Sequence, residues 1–126
     1  MYLGVDWGKK RIGLALGSDE VMVATPFGVV ANLVELEKII HEEAIEALVV
    51  GVPYAKEGRQ FELSSEFNNF LKILKQKINL PIFEIDERMS SKAGDARVGN
   101  KKTKAPRDAI AAMEILQSWF DAKSNK

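Results

Sequence analysis

The sequence contains no cysteine and a single histidine, His41. Without cysteine there can be no disulfide, no thiolate nucleophile and no cysteine zinc site, which fits a reducing compartment. Walker-type phosphate loops and Ser-His-Asp orderings are also missing, as are internal repeats, low-complexity tracts and linkers. No apolar run approaches the ~20 residues that would span a bilayer. Met1 leads straight into the strand-like Tyr2-Leu3-Gly4-Val5, with nothing resembling a signal peptide. A soluble cytoplasmic protein without a membrane partner is therefore expected. Net charge is missing too, since 18 Lys and Arg balance 18 Asp and Glu, so no global field announces a nucleic-acid partner.

What is present describes one globular unit. The 126 residues, 46% hydrophobic and 29% charged, suit a single domain over 1–126 that buries roughly two-thirds of its unfolded surface. Charge is uneven along the chain. Lys92, Arg97, Lys101, Lys102, Lys104 and Arg107 face Asp95 alone, a local balance of +5, and Lys9-Lys10-Arg11 forms a second cluster. Charge by itself is compatible with a solvated loop and a turn.

Hydrophobic patterning orders the elements. Tyr2 to Trp7 and Arg11 to Leu16 read as strands joined in a hairpin by Gly8-Lys9-Lys10. Val21 to Val30 offers a third strand, and its Pro26 and Gly28 point to a sheet edge or a bulge. Asn32 is placed to cap a helix carrying Leu33, Leu36 and Ile40 and ending near Ala44. The run Glu46 to Pro53 suits a strand covered on both faces. Phe67, Phe70, Leu71, Leu74 and Ile78 mark a second helix, and Pro81 to Asp86 a fifth strand. A short helix over Ser91 to Val98 and a loop over Gly99 to Lys104 precede a last helix, which opens at Pro106 and runs through Phe120. The order β-β-β-α-β-α-β-α implies an α/β fold with a mixed five-stranded sheet and helices on both faces.

Ligand sites in such sheets form beyond the C-terminal ends of the parallel strands. Asp6 ends the first strand, Asp86 and Glu87 end the last, and Asp108 lies in the first turn of the final helix. Each acid has an ordinary explanation: a turn acceptor or a partner of Lys10 or Arg11 for Asp6, an ion pair with Arg88 for Asp86 and Glu87, and helix-dipole stabilisation for Asp108. If they converge, their repulsion requires a cation, and an all-oxygen set favours Mg²⁺ or Mn²⁺ over zinc. That site would support phosphoryl chemistry.

Four segments, "GVDWGKKRIGLAL" (4–16), "LVVGVPYAKEG" (48–58), "IDERMSS" (85–91) and "DAIAAMEILQSWF" (108–120), together resemble the YqgF/RuvX family. These RuvC-like proteins are described as Holliday-junction resolvases and pre-16S rRNA processing nucleases. The resemblance implies a ribonuclease H-like fold and a metal-dependent nuclease acting on structured RNA, favoured, or branched DNA. It implies that Asp6, Glu87 and Asp108 are both the catalytic acids and the ligands of Mg²⁺ or Mn²⁺. Lys10, Arg11 and Arg88 match the family's cations and would contact nucleic acid, with Arg59 on the cleft wall and Lys101 and Lys102 in the basic segment. Two features depart from the pattern: Ala111 stands where RuvC-type resolvases carry a further acid, and the stretch between Glu87 and Asp108 looks short. A non-catalytic nucleic-acid or ribosome-associated module, or an actin-type nucleotide-binding lobe, are the competing readings. A resolvase would need a two-fold dimer, but no long exposed apolar helix face marks one, leaving a monomer or a weak dimer.

Overall fold

A computed structural model describes residues 1–52, 65–86 and 106–124. Five strands, β1 (Tyr2–Asp6), β2 (Ile12–Gly17), β3 (Ala24–Val30), β4 (Ala47–Val52) and β5 (Ile82–Asp86), form one sheet in the order β3-β2-β1-β4-β5. The first three pair antiparallel as a meander, and β4 and β5 continue from β1 in parallel. Helices α1 (Leu33–Glu42) and α2 (Ser65–Lys77) cover one face, and α3 (Arg107–Ser124) covers the other. This is the layered α/β arrangement expected from the element order. The expected short helix and loop between Ser91 and Lys104 lie outside the described residues.

Local chemistry sets the boundaries. All six residues of β4 are buried, as expected of a strand covered on both sides. β3 is an edge strand whose register with β2 shifts between Leu14 and Ala15, the bulge expected beside Pro26 and Gly28. It begins at Ala24 rather than Val21, because Met22 adopts a left-handed φ of 61° and its amide donates to the Ser18 carbonyl at 2.8 Å. Asn32 Oδ1 accepts the Glu35 amide at 3.0 Å, and Glu35 Oε1 accepts the Ala31 amide at 2.7 Å, which fixes the start of α1. Helix α1 stops at Glu42, slightly before the expected end. Ala44 turns left-handed (φ 52°), and the amides of Ala44 and Ile45 donate back to the carbonyls of His41 and Ile40.

Two cores sit on either side of the sheet. On one side Leu3, Val5, Leu14, Leu48 and Val50 meet Leu36 and Ile40 of α1 and Phe67, Phe70 and Leu74 of α2. Trp7 packs here as well, with ring centroids 5.8 Å from Phe67 and 6.0 Å from Phe70. On the other side Ala15, Ala24 and Val49 meet Ala112, Ile115, Leu116 and Phe120 of α3. Phe120 is fully buried and Trp119 is partly packed, stacked on Phe83 at 4.8 Å, so core packing accounts for both.

Glycines decide how close α3 lies. A Cβ on Gly4 would come within 2.7 Å of the Ala112 carbonyl oxygen and 2.8 Å of Leu116 Cβ. At Gly17 it would meet the Phe120 ring at 2.7 Å, and at Gly13 it would overlap the Asp108 backbone. Strand glycines of this kind mark close backbone approach, and here they let the helix rest directly on β1 and β2.

Candidate active site

The hairpin and the N-terminus of α3 build the site. Asp6, the last residue of β1, pairs across the antiparallel ladder with Gly13 of β2. Directly paired residues project to the same face of a sheet. For this pair it is the α3 face, because Gly4, two residues before Asp6, lies against Ala112 and Leu116. The missing side chain of Gly13 is replaced there by the backbone of Asp108, in the first turn of α3. Asp6 and Asp108, about a hundred residues apart in sequence, therefore become neighbours across Gly13. Trp7, the next residue along, points to the opposite core, and its contacts with Phe67 and Phe70 anchor the end of the strand.

Asp86 behaves differently from Asp6. In the parallel ladder Val50 is level with Glu84 and Val52 with Asp86, and both valines belong to the core under α1 and α2. The intervening Phe83 and Ile85 belong to the α3 side, Phe83 through its stack on Trp119. Alternation thus places Asp86 on the face away from Asp6 and Asp108. Glu87, Arg88, Arg59, Lys101 and Lys102 lie outside the described residues.

The basic turn is tied to both helical layers. Lys9 Nζ lies 3.3 Å from Glu66 Oε1 in the first turn of α2. Arg11 Nε donates to Asp108 Oδ2 at 2.6 Å, with the arginine side chain 67% exposed and the aspartate 32% exposed. Arg11, one of the two cations considered for Asp6, thus pairs with Asp108. Lys10, between them, is exposed and forms no ion pair among the described residues. Lone His41 is exposed in the last turn of α1, as expected of a surface residue.

The donor chemistry suits a hard divalent cation. Two carboxylates from separate elements share one partly open face, with no cysteine in the chain and the histidine elsewhere. Among the described residues no group of three or more acids or histidines is assembled. Two carboxylates are enough for a cation such as Mg²⁺, which keeps several of its waters. Sequence reasoning did not single out Gly13 as the seat of Asp108, or Arg11 as its partner. The glycines inside β1 and β2 were the available signal for the first, but nothing in the local sequence marks the second.

Comparison with known proteins agrees with this architecture. Residues 1–122 match the family model RuvX, described as Holliday junction resolvase. A Thiobacillus denitrificans protein named "Putative pre-16S rRNA nuclease" is 33% identical over 132 residues, covering 96% of this chain and 91% of that protein. A Maridesulfovibrio salexigens protein of the same name is also 33% identical, with 94% and 96% covered. Among solved structures, T. thermophilus RuvC in complex with a Holliday junction substrate superposes with a TM-score of 0.63 at 16% identity, covering 98% of this chain and 94% of that one. Fowlpox virus resolvase with Holliday junction DNA superposes at 0.56 and 10% identity, with 97% of each chain covered. These two likenesses carry the fold, the ribonuclease H-like arrangement that the family resemblance implies. With a family model spanning nearly the whole chain and end-to-end relatives at one-third identity, the chain belongs to the RuvX family.

Proposed function

We propose that this chain is a divalent-metal-dependent nuclease that hydrolyses phosphodiester bonds in structured nucleic acid. The observation that carries the reading is the meeting of Asp6 and Asp108 on one face, across Gly13, in a RuvX-family chain. Asp6, Asp108 and Glu87 would hold Mg²⁺ or Mn²⁺. Of the two adjacent acids at this strand end, Asp86 lies on the face away from Asp6 and Asp108. The bound ion would supply the positive charge that activates a water and steadies the departing oxygen.

The chain's own residues supply position. Asp6 is held by the ladder on one side and by the Trp7 anchor on the other, so its carboxylate is presented from a rigid strand end. Asp108 rides on a helix whose entry is fixed by the Pro106 carbonyl, which accepts the amides of Ala109 and Ile110 at 3.0 Å each. Lys10, Arg11, Arg88, Arg59, Lys101 and Lys102 would contact phosphates and offset the repulsion between substrate and acids. Precursor ribosomal RNA is the favoured substrate, given what the relatives are called, and four-way DNA is the second. Action on that RNA would be cytoplasmic, and no helix among the described residues is long and apolar enough to cross a membrane.

The test is cleavage of a labelled 16S precursor fragment and of a four-way DNA junction, with Mg²⁺, with Mn²⁺ and with chelator. Ion-dependent cleavage that disappears in Asp6→Asn and Asp108→Asn is expected. Binding of both substrates without any cleavage, unchanged in the two variants, would instead identify a non-catalytic binding module.

A further inference from the structure

The contact between Arg11 and Asp108 assigns Arg11 a second task, and the inference rests on the metal-site reading of Asp108 above. We propose that Arg11 is a stand-in for the cation. It holds Asp108 while no ion is bound and is released toward a substrate phosphate when an ion arrives. The two acids sit on one face with no third acid or histidine gathered around them among the described residues. Arg11 reaches Asp108 from the turn that follows Asp6, with Nε at 2.6 Å from Oδ2. A guanidinium and a divalent ion compete for the same carboxylate charge, so the contact and ion binding oppose each other.

The neighbouring cations make the role specific. Lys9 is directed to Glu66 on the other side of the sheet, and Lys10 is exposed without an ion pair among the described residues. Among the described residues, Arg11 alone of the three is seen paired with a site acid. Its side chain is two-thirds exposed, so little but the carboxylate holds it and the exchange is inexpensive. An arginine freed in this way, one turn from the acids, is well suited to a phosphate oxygen.

The consequence is an unusual coupling. Removing Arg11 should tighten ion binding, whereas removing an ordinary phosphate contact should not. The expected gain is roughly two- to fivefold in Mn²⁺ affinity, the range an exposed ion pair contributes. Lys10→Gln makes the same change in charge without touching Asp108, so it measures the general electrostatic effect. Mn²⁺ would be titrated into wild type, Arg11→Gln and Lys10→Gln without nucleic acid, reading free Mn²⁺ by electron paramagnetic resonance. Amide NMR spectra would confirm that each variant is folded.

A larger gain in Arg11→Gln than in Lys10→Gln supports the proposal. An equal gain, or weaker binding in Arg11→Gln, overturns it. Absence of Mn²⁺ binding in wild type overturns the metal-site reading itself, which separates the two failures. A second measurement uses a fluorescent RNA hairpin with and without Ca²⁺. Arg11→Gln should weaken hairpin binding only when Ca²⁺ is present, because only then is the wild-type guanidinium free. Equal weakening in both conditions would show an ordinary phosphate contact and refute the exchange.

Discussion

Gly13→Ala tests the way this fold builds its site. The added Cβ would overlap the carbonyl group of Asp108 and crowd its Cβ at 3.0 Å. Backbone lies on both sides, since Gly13 is locked in ladders with Asp6 and Val29. The N-terminus of α3 must therefore lift. Overpacking of a close-fitting interior costs about 1–3 kcal/mol, which in a chain of this size lowers Tm by roughly 4–12 °C. The effect on cleavage should be larger than stability alone explains, because displacing a reacting group by about 1 Å costs roughly 10²-fold. Two companions separate the effects. Gly4→Ala meets the Ala112 carbonyl oxygen at 2.7 Å, further along the helix, and should cost comparable stability with less activity. Gly28→Ala, with nothing within 4 Å of the new atom, should leave both nearly unchanged. Thermal melts by circular dichroism and cleavage at a temperature well below every Tm would be compared. A Gly13→Ala protein that melts and cleaves like wild type would refute the close seating of Asp108 on the hairpin.

Other outcomes follow from the local chemistry. Ala44→Gly should stabilise by about 0.5–1 kcal/mol, since the left-handed backbone costs an alanine more than glycine's extra entropy does; a rise in the urea midpoint would show it. Asn32→Ala should cost about 1 kcal/mol through loss of the cap on the Glu35 amide, with an unchanged denaturant slope. Phe67→Ala removes a fully buried ring that supports Trp7 and should cost about 3–5 kcal/mol, read by chemical denaturation.

Local patterns in the sequence determined most of the architecture. A hairpin turn, a capped helix, a doubly covered strand and two apolar stripes each follow from residues within a few positions of one another. Their periodicity survives into the structure because burial acts on the same side chains that create it. The ends moved where backbone chemistry intervened, as at Met22 and Ala44, whose left-handed conformations no side-chain pattern announces. Asp6 and Asp108 were also legible as candidates, an acid ending an apolar strand and an acid opening a helix. Only the tertiary structure decided that they are neighbours, because their meeting depends on a glycine in a third element that admits the helix backbone. Likewise, strand parity relative to the two cores set Asp86 on the opposite face, and a turn shared by both helical layers gave Arg11 to Asp108. Chemistry-bearing residues can be recognised one at a time in a chain. Which of them act together depends on register and helix seating, which are long-range properties that no local window contains.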